Sequence, residues 1–209
     1  KRKECNKAVK WLKSQNPKRL VKSWTETDPN VPISIYFSAH KYNTLISKIA
    51  NDENLLNFAS KLVKNKVYLY SSKVAFKAAW CGTVEYFHQD MVYWKPRGYR
   101  GDDMVSVMTA LESQNTHNGG LHVFPKSHKL GLIKHDNFFN ANGNSKFMVP
   151  PKKLDELKKK CGVEAINANP GDVIFFHASL VHGSSHNISP YGRMALFSWC
   201  NSVNNLPQN

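Results

Sequence analysis

Apolar residues recur at helical spacing through the first third of the chain. Residues 1–24 carry such a stripe, interrupted by Pro17, and we predict two short amphipathic helices there. Residues 45–63 carry two further stripes with a break near Asn51-Asp52, whereas residues 25–32 are rich in Thr, Asp, Pro and Asn and predict a loop. The N-terminal part is therefore expected to be a mainly helical flank.

From Lys66 onward the pattern changes to short runs of β-branched and aromatic residues, separated by Gly, Pro, Asn and Asp. Many short strands at this spacing favour a sandwich or a jelly-roll barrel over alternating β-α-β units. We expect one domain over residues 1–209, with a helical flank at 1–65, a β-barrel core at 66–205 and one further helix at 152–161. The predicted strands are residues 67–70, 74–76, 84–87, 104–111, 121–124, 173–176 and 194–199.

The composition is that of a globular protein, with 41% hydrophobic and 11% aromatic residues. No apolar run approaches the roughly 18–20 residues that span a bilayer, and the Lys-rich start lacks the apolar centre of a secretory signal, so we expect a soluble, cytoplasmic protein. The four cysteines lie far apart and are interpreted as reduced thiols. The formal net charge of +14 favours an anionic substrate or a polyanion, but the lysines are scattered, which equally fits a solvated surface.

Two separate segments carry candidate metal ligands. His88 and Asp90 are two residues apart in EYFHQDMVYW, and because side chains in a strand alternate, both would project from one face. His182 follows a strand-like run in DVIFFHASLVHG. Two imidazoles and one carboxylate form the facial triad of non-haem iron(II) oxygenases, which leaves three coordination positions open for co-substrate and O2.

A strand after His182 carries Arg193, whose planar guanidinium matches the distal carboxylate of a dicarboxylate such as 2-oxoglutarate through two parallel hydrogen bonds. Ser184 can add a hydroxyl donor to the same carboxylate. Two residues are candidates for the substrate pocket, although Trp94 equally fits core packing and Lys73 equally fits a surface charge.

The remaining histidines need no catalytic role, because the metal set is complete without them. Those expected at the surface are His40, His117, His135 and His186, and those expected in structural roles are His122, His128 and His177.

Three segments resemble the phytanoyl-CoA dioxygenase superfamily: FHQDMVYW, TALESQNTHNGGLHVFPKSHKLG, and GDVIFFHASLVHG followed by Arg193. The resemblance covers roughly residues 66–200 and implies a mainly β, double-stranded β-helix fold, a jelly-roll or cupin-like barrel with N-terminal flanking helices. It also implies Fe(II) bound by His88, Asp90 and His182, and 2-oxoglutarate bound through Arg193 and Ser184. The chain departs from the family at Phe87, where Trp is common.

These residues predict a 2-oxoglutarate-dependent dioxygenase that hydroxylates a C–H bond of a small metabolite, free or carrier-linked, with succinate and CO2 as co-products. The carboxylate of Asp90 favours hydroxylation over halogenation. The net charge raises an alternative, an oxygenase acting on a nucleic acid or nucleotide, which steep salt dependence would reveal. A catalytically silent jelly-roll that only binds a ligand is a third hypothesis, against which the intact ligand set argues.

Overall fold

The computed structural model describes residues 2–14, 23–24, 35–139 and 145–207. Its helices are α1 (Arg2–Ser14), α2 (Thr44–Ala50), α3 (Glu53–Val63), α4 (Met91–Trp94) and α5 (Pro151–Cys161). Its strands are β1 (Ser23–Trp24), β2 (Ile35–Phe37), β3 (Val67–Lys77), β4 (Glu85–His88), β5 (Met104–Ala110), β6 (Leu121–Val123), β7 (Asp136–Phe139), β8 (Ser145–Met148), β9 (Glu164–Ile166), β10 (Val173–His177), β11 (His182–Ser184) and β12 (Arg193–Ser202). None of the helices in these segments is long and apolar enough to cross a membrane.

Two helices of the flank, α2 and α3, begin at residues whose side chains cap them. The Asn43 side chain accepts a hydrogen bond from the backbone N–H of Ile46 at the start of α2, and Asp52 accepts from two backbone N–H groups at the start of α3. The predicted break at 51–52 is therefore confirmed. The second helix predicted before residue 24 and the loop predicted at 25–32 fall mostly outside the described residues, but Ser23–Trp24 is a strand, which corrects the helical prediction at that point.

The larger sheet has the strand order β1-β2-β3-β12-β5-β10, with every neighbouring pair antiparallel. All of β5 and β12 is buried, because one sheet face packs against helices and the other faces the barrel interior. On β12, Met194 and Leu196 pack with α1 and α2, whereas Ala195 and Phe197 point inward. This alternation decides which side chains reach the barrel interior.

The smaller sheet, β4-β11-β6-β9, closes the barrel on the opposite side. Phe87 and Phe124 meet edge to face on its outer surface, where α5 packs. The β7–β8 hairpin packs against β4 and α4 through two edge-to-face ring contacts, Tyr86 with Phe138 and Tyr93 with Phe147. Two opposed sheets around one apolar interior form the predicted double-stranded β-helix, with helices flanking it.

The predicted strands are present, with three corrections. Residues 67–70 and 74–76 belong to one strand, since β3 continues from Val67 to Lys77 and pairs with β12 along its length, with one shift in register between Trp199 and Cys200. Two strands of the mainly helical flank, β1 and β2, were not predicted and extend the larger sheet. The strands β7, β8, β9 and β11 were not predicted, because each is only three or four residues long and carries Gly, Asn, Ser or charged residues that weaken the strand pattern.

Candidate metal centre

His88 and Asp90 converge because the chain turns sharply after a strand. β4 ends at His88, and Asp90 lies beyond it with helical backbone angles (φ −55°, ψ −32°) at the start of α4. The backbone N–H of Met91 donates to the carbonyl of Ala178 at 3.0 Å, which fixes this turn. We predicted that both side chains project from one strand, which is wrong, because Asp90 lies beyond the end of β4. The two side chains nevertheless lie close together.

His182 reaches the same point from the neighbouring strand. It lies directly opposite His88 in the antiparallel register of β4 and β11, and the two ring centroids are 4.5 Å apart. The Asp90 Oδ1 atom lies 3.6 Å from His88 Nε2 and 3.8 Å from His182 Nε2. One donor atom from each residue lies within 4.8 Å of the others, and all three side chains are buried. The three donor atoms can therefore coordinate one small cation.

Hydrogen bonds orient each donor toward the centre. His88 Nδ1 donates to the carbonyl of Tyr86 at 2.8 Å and His182 Nδ1 donates to the carbonyl of Leu180 at 3.0 Å, since a carbonyl can only accept. Both Nε2 lone pairs are therefore left for a metal, and such fixed tautomers are typical of histidine ligands.

The carboxylate is oriented in the same way. Asp90 Oδ2 accepts hydrogen bonds from Ser106 Oγ at 2.6 Å and from the indole N–H of Trp199 at 2.8 Å. These donors reach the site from β5 and β12 of the larger sheet. Oδ1 is therefore the oxygen left to coordinate a cation.

The protonation states suit metal binding. Burial lowers the pKa of His182 to about 4, so that its imidazole is neutral at neutral pH. Burial alone would raise the pKa of Asp90, but its interactions with the His182 and His88 side chains, with a smaller contribution from Lys73, hold it well below its usual range. Neutral nitrogens and an ionised carboxylate are the forms that coordinate divalent metals.

Arg193 is a buried cation at the start of β12, with 2% of its surface exposed. Its Nε donates to Gln114 Oε1 at 3.0 Å and one terminal nitrogen contacts Met108 Sδ at 3.8 Å. Burial lowers its pKa to about 10. No carboxylate of the described residues pairs with it, so the guanidinium can still accept an anionic ligand. Ser184 is buried on the same face of β11 as His182.

The two candidate substrate residues occupy different environments. Trp94 is buried in the core and packs edge-on against Trp199 at 5.6 Å and Tyr70 at 6.2 Å between ring centroids. Lys73 is half-buried, and its Nζ lies over the rings of Phe197 at 5.4 Å and Trp199 at 5.5 Å. The geometry matches core packing for Trp94 and an inward-facing charge for Lys73.

Two histidines predicted at the surface are partly buried. His40 Nδ1 lies 2.5 Å from Ser72 Oγ, and His135 Nε2 accepts from the backbone N–H of Gln89 at 3.0 Å. Their polar sequence surroundings gave no sign of these long-range contacts. His117 and His186 are exposed, as predicted.

His177 and His128 stack on each other beside the end of β10, with ring centroids 5.0 Å apart. His177 also contacts Asp102 Oδ1 at 3.1 Å and accepts from the N–H of Ser179 at 2.9 Å. Neither ring joins the metal cluster, which within the described segments is the one group of three or more ligating side chains. These contacts agree with structural roles.

Sequence reasoning missed the residues that support the site. Ser106, Trp199 and Gln114 lie far along the chain from the groups they contact, and nothing in their local sequence marks them. The strand alternation that places Ser106 inward becomes informative only once the register of β5 with β12 is known. Lys77 donates through Nζ to the carbonyls of Thr83 and Ser185 and so connects two loops.

Comparisons with known proteins agree with this geometry. A family model described as phytanoyl-CoA dioxygenase (PhyH) matches residues 18–195. An ectoine dioxygenase from Sphingopyxis alaskensis is 31% identical over 188 residues, which cover 87% of this chain and 61% of the relative, so the chain spans about three fifths of that relative's length.

Two solved structures of EctD from S. alaskensis superimpose on the chain. The first contains 2-oxoglutarate and 5-hydroxyectoine; its TM-score is 0.78 at 26% identity, with 99% of this chain and 68% of that chain covered. The second contains bound Fe; its TM-score is 0.77 at 26% identity, with 100% and 69% covered. Both similarities extend over essentially the whole chain.

Proposed function

The chain belongs to the phytanoyl-CoA dioxygenase (PhyH) family, and from this we propose that it is a 2-oxoglutarate-dependent dioxygenase that hydroxylates a small metabolite. The observation that carries the proposal is the convergence of His88, Asp90 and His182, with one donor atom of each within 4.8 Å of the others. Two imidazoles and a carboxylate with open positions suit Fe(II).

The donor set fits the metal in detail. Each histidine presents Nε2 because its Nδ1 is engaged, and Asp90 presents Oδ1 because its other oxygen holds two hydrogen bonds. Fixing ligands in this way strengthens metal binding, because little conformational freedom is lost when the ion arrives. The related EctD structure with bound Fe supports the choice of metal.

Arg193 and Ser184 would hold the distal carboxylate of 2-oxoglutarate. Gln114 engages Nε of Arg193, so the terminal nitrogens remain to form parallel hydrogen bonds with a carboxylate. The EctD structure that contains 2-oxoglutarate supports this choice of co-substrate.

When bound, Fe(II) with 2-oxoglutarate and O2 supplies the oxidant that hydroxylates a C–H bond, with succinate and CO2 as co-products. The chain's own residues hold and shield that chemistry: Asp90 keeps its coordinating oxygen aimed at the centre, and Phe176 packs against the His182 ring at 4.9 Å. Water is excluded on that side. A carboxylate at Asp90 also fills the position that a halide would need, which favours hydroxylation.

The substrate would be a small molecule, free or carrier-linked, with Lys73 and Trp94 as candidate pocket residues. A nucleic-acid substrate is the alternative suggested by the formal charge of +14. Varying the salt concentration separates the two, because contacts to a phosphate backbone weaken steeply as salt rises.

Anaerobic titration with Fe(II) and 2-oxoglutarate tests the proposal. We expect a weak visible metal-to-ligand charge-transfer band that Arg193→Ala shifts to higher 2-oxoglutarate concentration. Without that band, or with equally tight binding in Arg193→Ala, the co-substrate assignment fails. His182→Ala should abolish succinate formation in an uncoupled turnover assay, and persisting iron-dependent turnover would show that a different ligand holds the metal.

A further inference from the structure

Lys73 carries a positive charge into the barrel and forms no ion pair with any described residue, although its charge acts on Glu85 and Asp90 from a greater distance. It lies opposite Phe197 in the register of β3 and β12, on the sheet face that points inward. Its Nζ contacts the ring faces of Phe197 and Trp199. Within the described segments of the chain, no carboxylate lies within 4.0 Å of this ammonium and no hydrogen bond engages it.

The nearest carboxylates are already engaged elsewhere. Glu85, on β4, forms an ion pair with Lys146 of β8, whose Nζ lies 2.9 and 3.1 Å from its two oxygens. Burial raises the pKa of Glu85, but Lys73 and Lys146 outweigh that effect and hold it at about 2, so Glu85 is ionised. Asp90 is engaged by Ser106, by Trp199 and by the metal that it would bind.

Charge balance around the centre therefore leaves a net positive charge. The inward cations among the described residues are Lys73, Lys77, Lys146 and Arg193, against the carboxylates of Glu85 and Asp90. Two backbone carbonyls engage Lys77, and Glu85 engages Lys146. Bound Fe(II) and the dianion 2-oxoglutarate cancel each other, so they leave this excess unchanged. Contact with aromatic faces compensates an ammonium only in part, because desolvation of a charge is costly.

This cation is separate from the co-substrate anchor. Lys77 pairs with Arg193 across β3 and β12, whereas Lys73 pairs with Phe197 further along the same strands. At about 3.3 Å per residue, the two levels lie roughly 13 Å apart. A carboxylate bound at Lys73 is thus a different group from the one held by Arg193.

We propose that Lys73 binds a carboxylate of the substrate, so that the enzyme acts on small carboxylate metabolites whose carbon skeleton packs on Phe197 and Trp199. That the bound carboxylate is hydroxylated rests on the proposed function, whereas the binding of a carboxylate at Lys73 does not. Because Lys146 is held in its ion pair with Glu85, it does not compete with Lys73 for the same anion.

Isothermal titration under anaerobic conditions, on protein loaded with Fe(II) and 2-oxoglutarate, tests this assignment. The probes are matched acid and amide pairs that differ in charge rather than in shape: cyclopentanecarboxylate and its carboxamide, cyclohexanecarboxylate and its carboxamide, and L-proline and L-prolinamide. For at least one pair we expect the carboxylate to bind roughly tenfold to hundredfold more tightly than the amide, as for a charge-assisted hydrogen bond.

Lys73→Met, which keeps the length of the side chain but removes its charge, should abolish this preference, whereas Lys73→Arg should retain most of it. The exposed Lys159→Met on α5 is the matched control for loss of one positive charge and should leave the preference intact. Absence of any carboxylate preference in the unmodified protein overturns the proposal, and so does a preference that survives in Lys73→Met.

Two further measurements separate this proposal from the proposed function. The charge-transfer band with 2-oxoglutarate should persist in Lys73→Met, which shows a folded variant with an intact co-substrate site. If the unmodified protein shows no such band, the proposed function fails, and the same acid and amide titration on the metal-free protein still decides whether Lys73 selects carboxylates.

Discussion

Ser106→Ala should weaken metal binding although Ser106 does not touch the metal. The hydroxyl donates to Asp90 Oδ2 at 2.6 Å, beside the indole N–H of Trp199 at 2.8 Å. Without it, Asp90 is left with one donor and can rotate its coordinating oxygen away from the two histidines. Groups that orient a ligand in this way typically contribute 10- to 100-fold in metal affinity, which corresponds to about 1.4–2.7 kcal/mol.

The assay is a competition titration of Fe(II), or of Co(II) in air, against a chelator of known affinity. Chemical denaturation of the metal-free variant, run in parallel, should show a loss of about 1–3 kcal/mol, because a buried carboxylate has lost a hydrogen bond. Trp199→Phe would also remove a hydrogen bond to Asp90, but it is a less specific test of that bond, because it removes part of the packing around Trp94 as well.

Ser198→Ala is the matched control. Ser198 is as deeply buried on the neighbouring strand, but its hydroxyl has no hydrogen-bond partner among the described residues. It should leave metal affinity unchanged. Equal metal affinity in Ser106→Ala and the unmodified protein, or an equal loss in Ser198→Ala, would refute the view that Ser106 acts by orienting Asp90.

Three further predictions concern the co-substrate, pH and the backbone. Arg193→Lys should raise the Kd for 2-oxoglutarate by roughly tenfold or more in anaerobic titration while Fe(II) affinity is kept, since a point charge replaces a planar pair of donors. The pKa of Glu85 is about 2 when folded against 4.5 in the unfolded chain, so its stabilising contribution is complete above pH 4.5 and is lost as the pH falls toward 2. Glu85→Gln should therefore flatten the acid limb of the stability profile, and a profile as steep as that of the unmodified protein would contradict this. Gly119→Ala would place a methyl carbon against Lys77 Cδ and 2.9 Å from the backbone oxygen of Ser185, at φ +77°. We expect a loss of about 1–3 kcal/mol in the free energy of unfolding by denaturation, and a smaller loss would count against the clash.

Local signals sufficed for much of the fold and for the ligands themselves. The cap residues Asn43 and Asp52 and the apolar stripes between them specify α2 and α3 from neighbouring residues alone. His88, Asp90 and His182 could be identified because their residue types are rare together in such motifs, whatever the exact backbone.

The supporting contacts could not be predicted, because they depend on strand register between distant segments. The sequence gives no reason to pair Ser106 with Asp90, and Gln114 reaches Arg193 only after β5 and β12 lie side by side. The convergence of the ligands itself arises from a turn at Asp90, which no strand periodicity describes. Short β11 likewise becomes a strand through pairing on both sides and not through β propensity.

Strand β12 has one consequence for the choice of co-substrate under the proposed function. It carries Arg193 at one end and, further along the same inward face, the Trp199 indole that holds a metal ligand. A fully buried strand paired on both sides cannot slide, because a shift of one residue would turn every side chain to the opposite face. β12 therefore fixes the distance between the metal site and the guanidinium of Arg193. A keto diacid one carbon shorter than 2-oxoglutarate would not reach Arg193 from the metal, and one that is a carbon longer would not fit between them.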